Sequence, residues 1–252
     1  MDRTFAVRNE ADEEAAELLI YDRIGKDTGT GIDAKDVKAA LDDIPKDREI
    51  LTRINSPGGN LWDGLAIYAM LSERRDHVTC QVDGVAASSA SIIAIAGKCT
   101  VMPTNGLMMI HLPRIPAFGD ATELRREADK LDKHTNSLTA IYARKTGRPV
   151  PEILAKMEAE TWFTGEDALE FGLCDRVTEE EQAITAMATG FDFSKFTNVP
   201  EALQLHGAAV LLDSGFYDKS KEEDEAALER IYGLLASIER LKQWESERRL
   251  RQ

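Results

Sequence analysis

Glu49-Ile50-Leu51-Thr52-Arg53-Ile54-Asn55-Ser56-Pro57-Gly58-Gly59 is a run of mostly apolar residues closed by a turn signature. It reads as a strand over Glu49 to Asn55, ended by Ser56-Pro57-Gly58-Gly59. Leu61 to Arg74 follows as an amphipathic helix, with Leu65, Tyr68 and Leu71 near one stripe. Val78 to Asp83 is the next strand, and Ala86 to Ala96 reads as an apolar helix of small residues. This strand–helix alternation predicts a layered α/β fold.

The same alternation extends both ways. Residues 1–16 are acidic and small, and read as an N-terminal arm or a short edge element. Leu18 to Ile24 is a strand, Gly29 to Gly31 a turn, and Asp33 to Leu41 a helix with Ile32, Val37 and Leu41 on one side. Downstream, Thr100 to Met102 and Leu107 to His111 are short strands around the turn Pro103-Thr104-Asn105-Gly106. A long helix spans Ala121 to Arg144, its apolar positions Leu124, Ala128, Leu131, Leu138 and Ile141 spaced to form a packing stripe. Beyond Gly147-Arg148-Pro149, a helix at Pro151 to Glu158, a strand at Trp162-Phe163 and a helix at Gly165 to Phe171 complete a domain over residues 17–178. Residues 179–220 read as an irregular linker. Residues 221–252 read as a charged helix with Leu228, Ile231, Leu235 and Ile238 in a 3-4-3 pattern.

Composition narrows the class. The formal charge of −14 argues against a nucleic-acid surface, because phosphate binding needs a basic face. The three cysteines, Cys80, Cys99 and Cys174, are scattered without metal-ligand spacing and predict neither a disulfide framework nor a metal site. The most apolar stretch, Ser88 to Gly97, is about half the ~20 residues of a spanning helix, so no membrane association is expected. Met1-Asp2-Arg3-Thr4 lacks a signal peptide's apolar segment, and a cytoplasmic setting is expected.

Three motifs then stand in order: Ile54-Asn55-Ser56-Pro57-Gly58-Gly59, Gly84-Val85-Ala86-Ala87-Ser88, and Met108-Met109-Ile110-His111-Leu112-Pro113. With Trp162-Phe163-Thr164-Gly165-Glu166-Asp167-Ala168 and Phe171-Gly172-Leu173-Cys174-Asp175, they resemble the Clp protease (ClpP-like) family in order and spacing. The resemblance covers roughly residues 17–178. It implies a ClpP/crotonase-like layered (spiral) βαβ fold with a protruding handle helix, here followed by an extra charged C-terminal helix. Ala121 to Arg144 is then the handle helix, and Arg114 to Asp120 the handle strand, which Pro113 and Pro116 weaken.

The residues suit that chemistry. Peptide hydrolysis needs a nucleophile, a base and donors for the oxyanion. Ser88 lies where a strand and turn give way to a helix, whose first N–H groups are free and electropositive. The N–H of Ser89 is then one oxyanion donor, and the family pattern makes Gly59 the other. His111, with its near-neutral titration, ends an apolar strand and suits the general base. By resemblance, Gly59, Asn60 and Leu61 on one side and Leu112, Pro113 and Arg114 on the other flank the substrate as extended strands. Ser89 and Ser91 are rival nucleophiles. His77, His134 and His206 lie outside the motifs.

The third member of a triad departs from the pattern. The family's usual Asp before the aromatic strand is matched here by Thr161, in Glu160-Thr161-Trp162-Phe163. Thr161 can accept from the imidazole but cannot offset an imidazolium. Glu160 is adjacent, yet neighbouring strand residues face opposite sides of a sheet. Both remain candidates for the orienting group.

The sequence thus predicts a serine endopeptidase working through an acyl-enzyme, with no metal or organic cofactor. The resemblance implies a heptameric ring, singly or stacked, acting on polypeptide. The Trp-Phe-Thr variant and the C-terminal extension look closer to ClpP-related head-maturation proteases of tailed phages and prophages, whose substrates are capsid, scaffold or portal protein in the host cytoplasm or prohead. The rivals are a housekeeping proteolytic subunit serving an ATP-driven AAA+ unfoldase, a catalytically weak assembly protein retaining the fold, and an enoyl-CoA hydratase-like enzyme, which the Ser88/His111 pair disfavours.

Overall fold

A computed structural model describes residues 5–8, 15–26, 29–179, 191–200 and 203. The C-terminal helix expected over 221–252 lies outside the described residues, as does most of the linker. The chain divides into two units, Met1–Ala188 and Thr189–Gln252, and the elements below belong to the first.

An eight-stranded mixed sheet forms the framework. β1 (Phe5–Arg8) pairs antiparallel with β2 (Ala16–Ile20) and makes one edge, the short edge element expected of the N-terminal arm. β2 runs parallel to β3 (Ile50–Ser56), and β3 parallel to β4 (Val78–Ala87). Between them lie α1 (Ala34–Asp42), started by an Asp33 capping box, and α2 (Leu61–Ser72), capped by Asn60.

β4 is the pivot. Its first half, Thr79 to Gln81, pairs with β5 (Cys99–Pro103). Its second half, Val85 to Ala87, pairs with β6 (Leu107–Ile110). The register against β3 shifts in between, from Ile54↔Val82 to Ser56↔Ala86, so β4 carries extra residues around Asp83 to Val85. Such a bulge leaves an amide without a ladder partner and bends the strand. Asn55 supplies the partner: its side-chain oxygen accepts from the Val85 N–H at 3.2 Å. The bend lets one strand serve two neighbours and splits the sheet into the expected layers.

The long β4 also corrects a boundary. Ala86 and Ala87 are strand residues, and α3 begins only at Ser89 (Ser89–Ala94). Small apolar residues fit either state, and pairing with β6 decides. The strand expected over Leu18 to Ile24 is shorter for a related reason. It ends at Ile20, and Ile24 makes isolated bridges to Ile32 and Gly59.

α4 (Ala121–Thr146) is capped by Asp120 and Glu123 and stopped by left-handed Gly147. Its apolar stripe departs from expectation: Leu138 and Tyr142 are buried, while Leu124 is 44% exposed. The N-terminal part of the stripe therefore finds no core among the described residues. The preceding segment is not a strand either. Residues 112–118 form no ladder, and Phe118 is 93% exposed. α5 (Val150–Glu158), β7 (Thr161–Thr164), α6 (Gly165–Phe171) and β8 (Arg176–Thr178) close the unit, with β7 antiparallel to β6 and β8 parallel to β5. No helix among the described residues is long and apolar enough to cross a membrane.

A polar cluster braces the bulge. The fully buried Asp83 carboxylate accepts from Arg53 Nε at 2.8 Å and Nη2 at 2.7 Å, from Gln81 at 2.9 Å, and from the Tyr21 hydroxyl. Burial, then Asp83 itself, pushes the Tyr21 phenol well above its usual range, so it remains a donor. Removing one partner of such a group leaves the rest desolvated and unpaired. Asp83→Ala is therefore expected to destabilise the unit by about 2–3 kcal/mol in denaturant unfolding, whereas a loss below ~1 kcal/mol would show that the cluster does not brace the strand.

Candidate active site

Ser88 sits between the end of β4 and the start of α3, with φ 56° and ψ −126°. A left-handed φ costs a non-glycine residue roughly 1–3 kcal/mol unless its surroundings impose it. Here both flanks are fixed. The Ser88 N–H donates to Met109 O at 2.9 Å, continuing the β4–β6 ladder, and every residue of α3 is buried. The kink turns the half-buried hydroxyl toward His111, the residue after β6. Ser88 Oγ lies 2.8 Å from His111 Nε2. With Nε2 unprotonated, the serine O–H donates to it, which is the geometry of a nucleophile and its base.

The turn after β3 packs onto this kink. Gly58 has φ 79°, and a Cβ there would fall 2.3 Å from Ala87 O, 2.8 Å from Ser88 Cβ and 2.9 Å from Ser89 N. Its own N–H donates to Ser56 Oγ at 3.1 Å. Gly59 has φ 154°, and a Cβ there would fall 2.1 Å from Ile24 O. Ile24 N–H donates to Gly58 O at 3.0 Å, and Asn60 N–H to Ile24 O at 2.8 Å. That parallel bridge uses the residues on either side of Gly59, so the Gly59 N–H points away from Ile24. The Ser89 N–H opens α3 and has no intrahelical acceptor. Of the two expected oxyanion donors, Ser89 directly follows the Ser88 kink, and Gly59 directly follows the glycine that packs on it.

The rival serines do other things. Ser89 Oγ is buried without a hydrogen-bond partner, and Ser91 Oγ donates to the Ser88 carbonyl at 2.6 Å. Of the expected substrate-flanking residues, Gly59 and Asn60 are extended, but Leu61 is the first residue of α2. The reason is local: the Asn60 side chain caps that helix, accepting from Trp62 N–H at 2.9 Å and Asp63 N–H at 3.2 Å. On the other side the Leu112 N–H is taken by Met157 O at 3.2 Å, and Pro113 has none to offer. The Arg114 guanidinium reaches Glu160, Nη2 to Oε2 at 2.7 Å.

Glu160 and Thr161 are separated by the structure. The Thr161 hydroxyl donates to Lys156 O at 2.7 Å. Glu160 is only 4% exposed and stands before β7 in a left-handed conformation, φ 47°. The alternation that set it aside therefore does not govern it. The β6–β7 register runs from Leu107↔Thr164 to Ile110↔Thr161. The ladder ends there, and Glu160 lies just before β7. The pairing of Arg114 with Glu160 had no signal in the sequence, because it depends on the loop after β6 turning back over this position. Among the described residues no cluster of three or more His, Cys, Asp or Glu forms a metal site.

Comparison with known proteins identifies the family. The family model described as Clp protease matches residues 15–181. The chain is 36% identical over 142 residues to a protein named ATP-dependent Clp protease proteolytic subunit 1, from Protochlamydia amoebophila (strain UWE25). That alignment covers 54% of this chain and 68% of the relative.

The packing of Gly58 on the kink is testable. Gly58→Ala is expected to lower stability by about 2–4 kcal/mol in denaturant unfolding, from the left-handed φ and the contact with Ala87 O together. Wild-type stability would mean that the turn does not press on Ser88.

Proposed function

The chain belongs to the Clp protease family, and we propose that it hydrolyses peptide bonds with Ser88 as nucleophile, His111 as general base and Glu160 as the group that orients the imidazole. The observation that carries this is the 2.8 Å contact between Ser88 Oγ and His111 Nε2 at a strained strand–helix junction. Serine-type peptidase activity is the family's, and the assignment of roles is the proposal.

The steps follow from the atoms. Ser88 Oγ attacks the scissile carbonyl while its proton passes to His111 Nε2. The carbonyl oxygen becomes an oxyanion, received by the N–H groups of Gly59 and Ser89. Each such donor typically contributes about 3–4 kcal/mol of transition-state stabilisation. The intermediate collapses, His111 protonates the departing amine, and an ester to Ser88 remains. Water, deprotonated by His111, attacks that ester through a second oxyanion, and the acid product leaves with Ser88 reprotonated. The Asn60 N–H and C=O are taken by Ile24 O and the Gly64 N–H, so of the two extended residues on this side only the Gly59 main chain is left to meet the peptide.

Glu160 is preferred to Thr161 because it carries charge, is buried, and immediately precedes β7, the strand paired with β6. Its ion pair with Arg114 shares that charge, so it offsets the imidazolium less than an unshared carboxylate does.

For the biological role we take a protease of phage or prophage head maturation, acting on capsid, scaffold or portal protein. The Trp162-Phe163-Thr164 variant and the residues after 178 support it. A second reading is favoured by the name of the relative above: a proteolytic subunit fed by an ATP-driven unfoldase. Both readings place the sites inside a ring. The exposed first half of the α4 stripe and exposed Phe118 are surfaces that a ring of subunits would cover.

Kinetics separate the assignments. Ser88→Ala and His111→Ala are each expected to reduce hydrolysis of a fluorogenic peptide by about 10⁴-fold or more, and Glu160→Gln by on the order of 10³-fold. Thr161→Val is expected to stay within about threefold of wild type. A Glu160→Gln enzyme as fast as wild type, beside a slow Thr161→Val enzyme, would transfer the orienting role to Thr161. For the biological role, removal of residues 200–252 is expected to impair incorporation into assembling capsids while sparing peptide hydrolysis. Unchanged incorporation would reject the tethering part of the maturation reading.

A further inference from the structure

Ser91 and Tyr142 lie outside the proposed triad, yet they are tied to it by one chain of hydrogen bonds. The Ser88 carbonyl accepts from the Ser91 N–H at 3.0 Å and from Ser91 Oγ at 2.6 Å. Ser91 Oγ lies 2.7 Å from the Tyr142 hydroxyl. The direction is forced. A carbonyl only accepts, so the single hydroxyl hydrogen of Ser91 points at Ser88 O. Tyr142 must then donate to Ser91. The relay runs one way: Tyr142 O–H to Ser91 Oγ, and Ser91 O–H to the Ser88 carbonyl.

That carbonyl shares a rigid plane with the next amide. In a trans peptide the C=O of Ser88 and the N–H of Ser89 point in opposite directions and turn together. The orientation of the plane is set by the Ser88 ψ of −126°, paired with a left-handed φ. This combination lies outside the ordinary wells of an L-residue, so intrinsic preference does not hold it. The anchored carbonyl does. A second effect has the same sign: an amide whose carbonyl accepts strong hydrogen bonds is polarised, and its N–H becomes the better donor.

We propose that Ser91 and Tyr142 are positioning residues that aim and polarise the Ser89 N–H as an oxyanion donor. The proposal rests on the peptidase reading above and adds to it a device reaching 51 residues along the chain, from α3 to the buried end of α4. Burial raises the Tyr142 phenol well above its ordinary range, so the relay keeps its proton at every working pH. Both side chains are buried among apolar neighbours, where a Phe and an Ala would pack with comparable stability.

The double variant Ser91→Ala/Tyr142→Phe tests this. Wild type, S88A, Y142F and the double variant are compared by melting, by steady-state hydrolysis of a fluorogenic peptide, and by inhibition with a peptide aldehyde, which forms a tetrahedral adduct on the active serine. The expected double variant melts within a few degrees of wild type. Its kcat falls on the order of 10- to 100-fold with KM unchanged, and the aldehyde Ki rises in proportion to the loss in kcat/KM. Y142F alone, which keeps the ring, is expected to lose about three- to tenfold in kcat and carries the test if the double variant does not fold. A folded variant with wild-type kcat overturns the proposal. So does a loss that appears in KM and melting temperature while aldehyde affinity is kept. If wild type shows no hydrolysis that depends on Ser88, the peptidase reading fails, and this inference fails with it.

Discussion

The contact between Ser88 and His111 depends on one length of parallel ladder, Val85 to Ala87 against Leu107 to Met109. The ladder ends with the Ser88 N–H on Met109 O, and the two side chains emerge at that end, 2.8 Å apart. β4 can reach β6 only because it bends after pairing with β5, and the bend is the bulge at Asp83 to Val85. Asn55 satisfies its stray amide, and the Asp83 cluster braces it. The strain at Ser88 is thus held by structure on both sides. A strained nucleophile between a strand and a buried helix projects its hydroxyl clear of the backbone and leaves the following amide free.

Two electrostatic choices shape the rest of the site. The amides proposed for the oxyanion belong to the backbone of a kink and a glycine turn, so they need no side-chain reorganisation when charge develops. The buried Glu160 carboxylate is paired with Arg114, a half-exposed guanidinium, so its charge is not isolated.

Much of this was legible in the sequence, for identifiable reasons. The turn Ser56-Pro57-Gly58-Gly59 and the apolar strand before His111 carry strong local signals, and both elements form where expected. The start of α3 was less legible, because Ala86 and Ala87 fit strand or helix until β6 supplies a partner. The setting of Glu160 was not legible, because strand alternation does not apply to a residue that precedes the strand. A positive φ at a glutamate leaves no mark in composition. The handle segment was expected as a strand, yet residues 112–118 pair with no edge among the described residues. The α4 stripe was read as packing, and half of it is exposed here because its period reports that a face is apolar without saying what covers it. The relay from Tyr142 to Ser88 spans residues too far apart for any local pattern to join.

The central claim is that Ser88 is activated by His111. Its most direct test is the site of covalent modification by a fluorophosphonate, read by peptide mass spectrometry on the full chain and on His111→Ala. A single adduct on Ser88 is expected, formed rapidly in the wild type and slowed at least a hundredfold without the imidazole. An adduct on Ser89 or Ser91, or labelling of Ser88 at the same rate without His111, would contradict it.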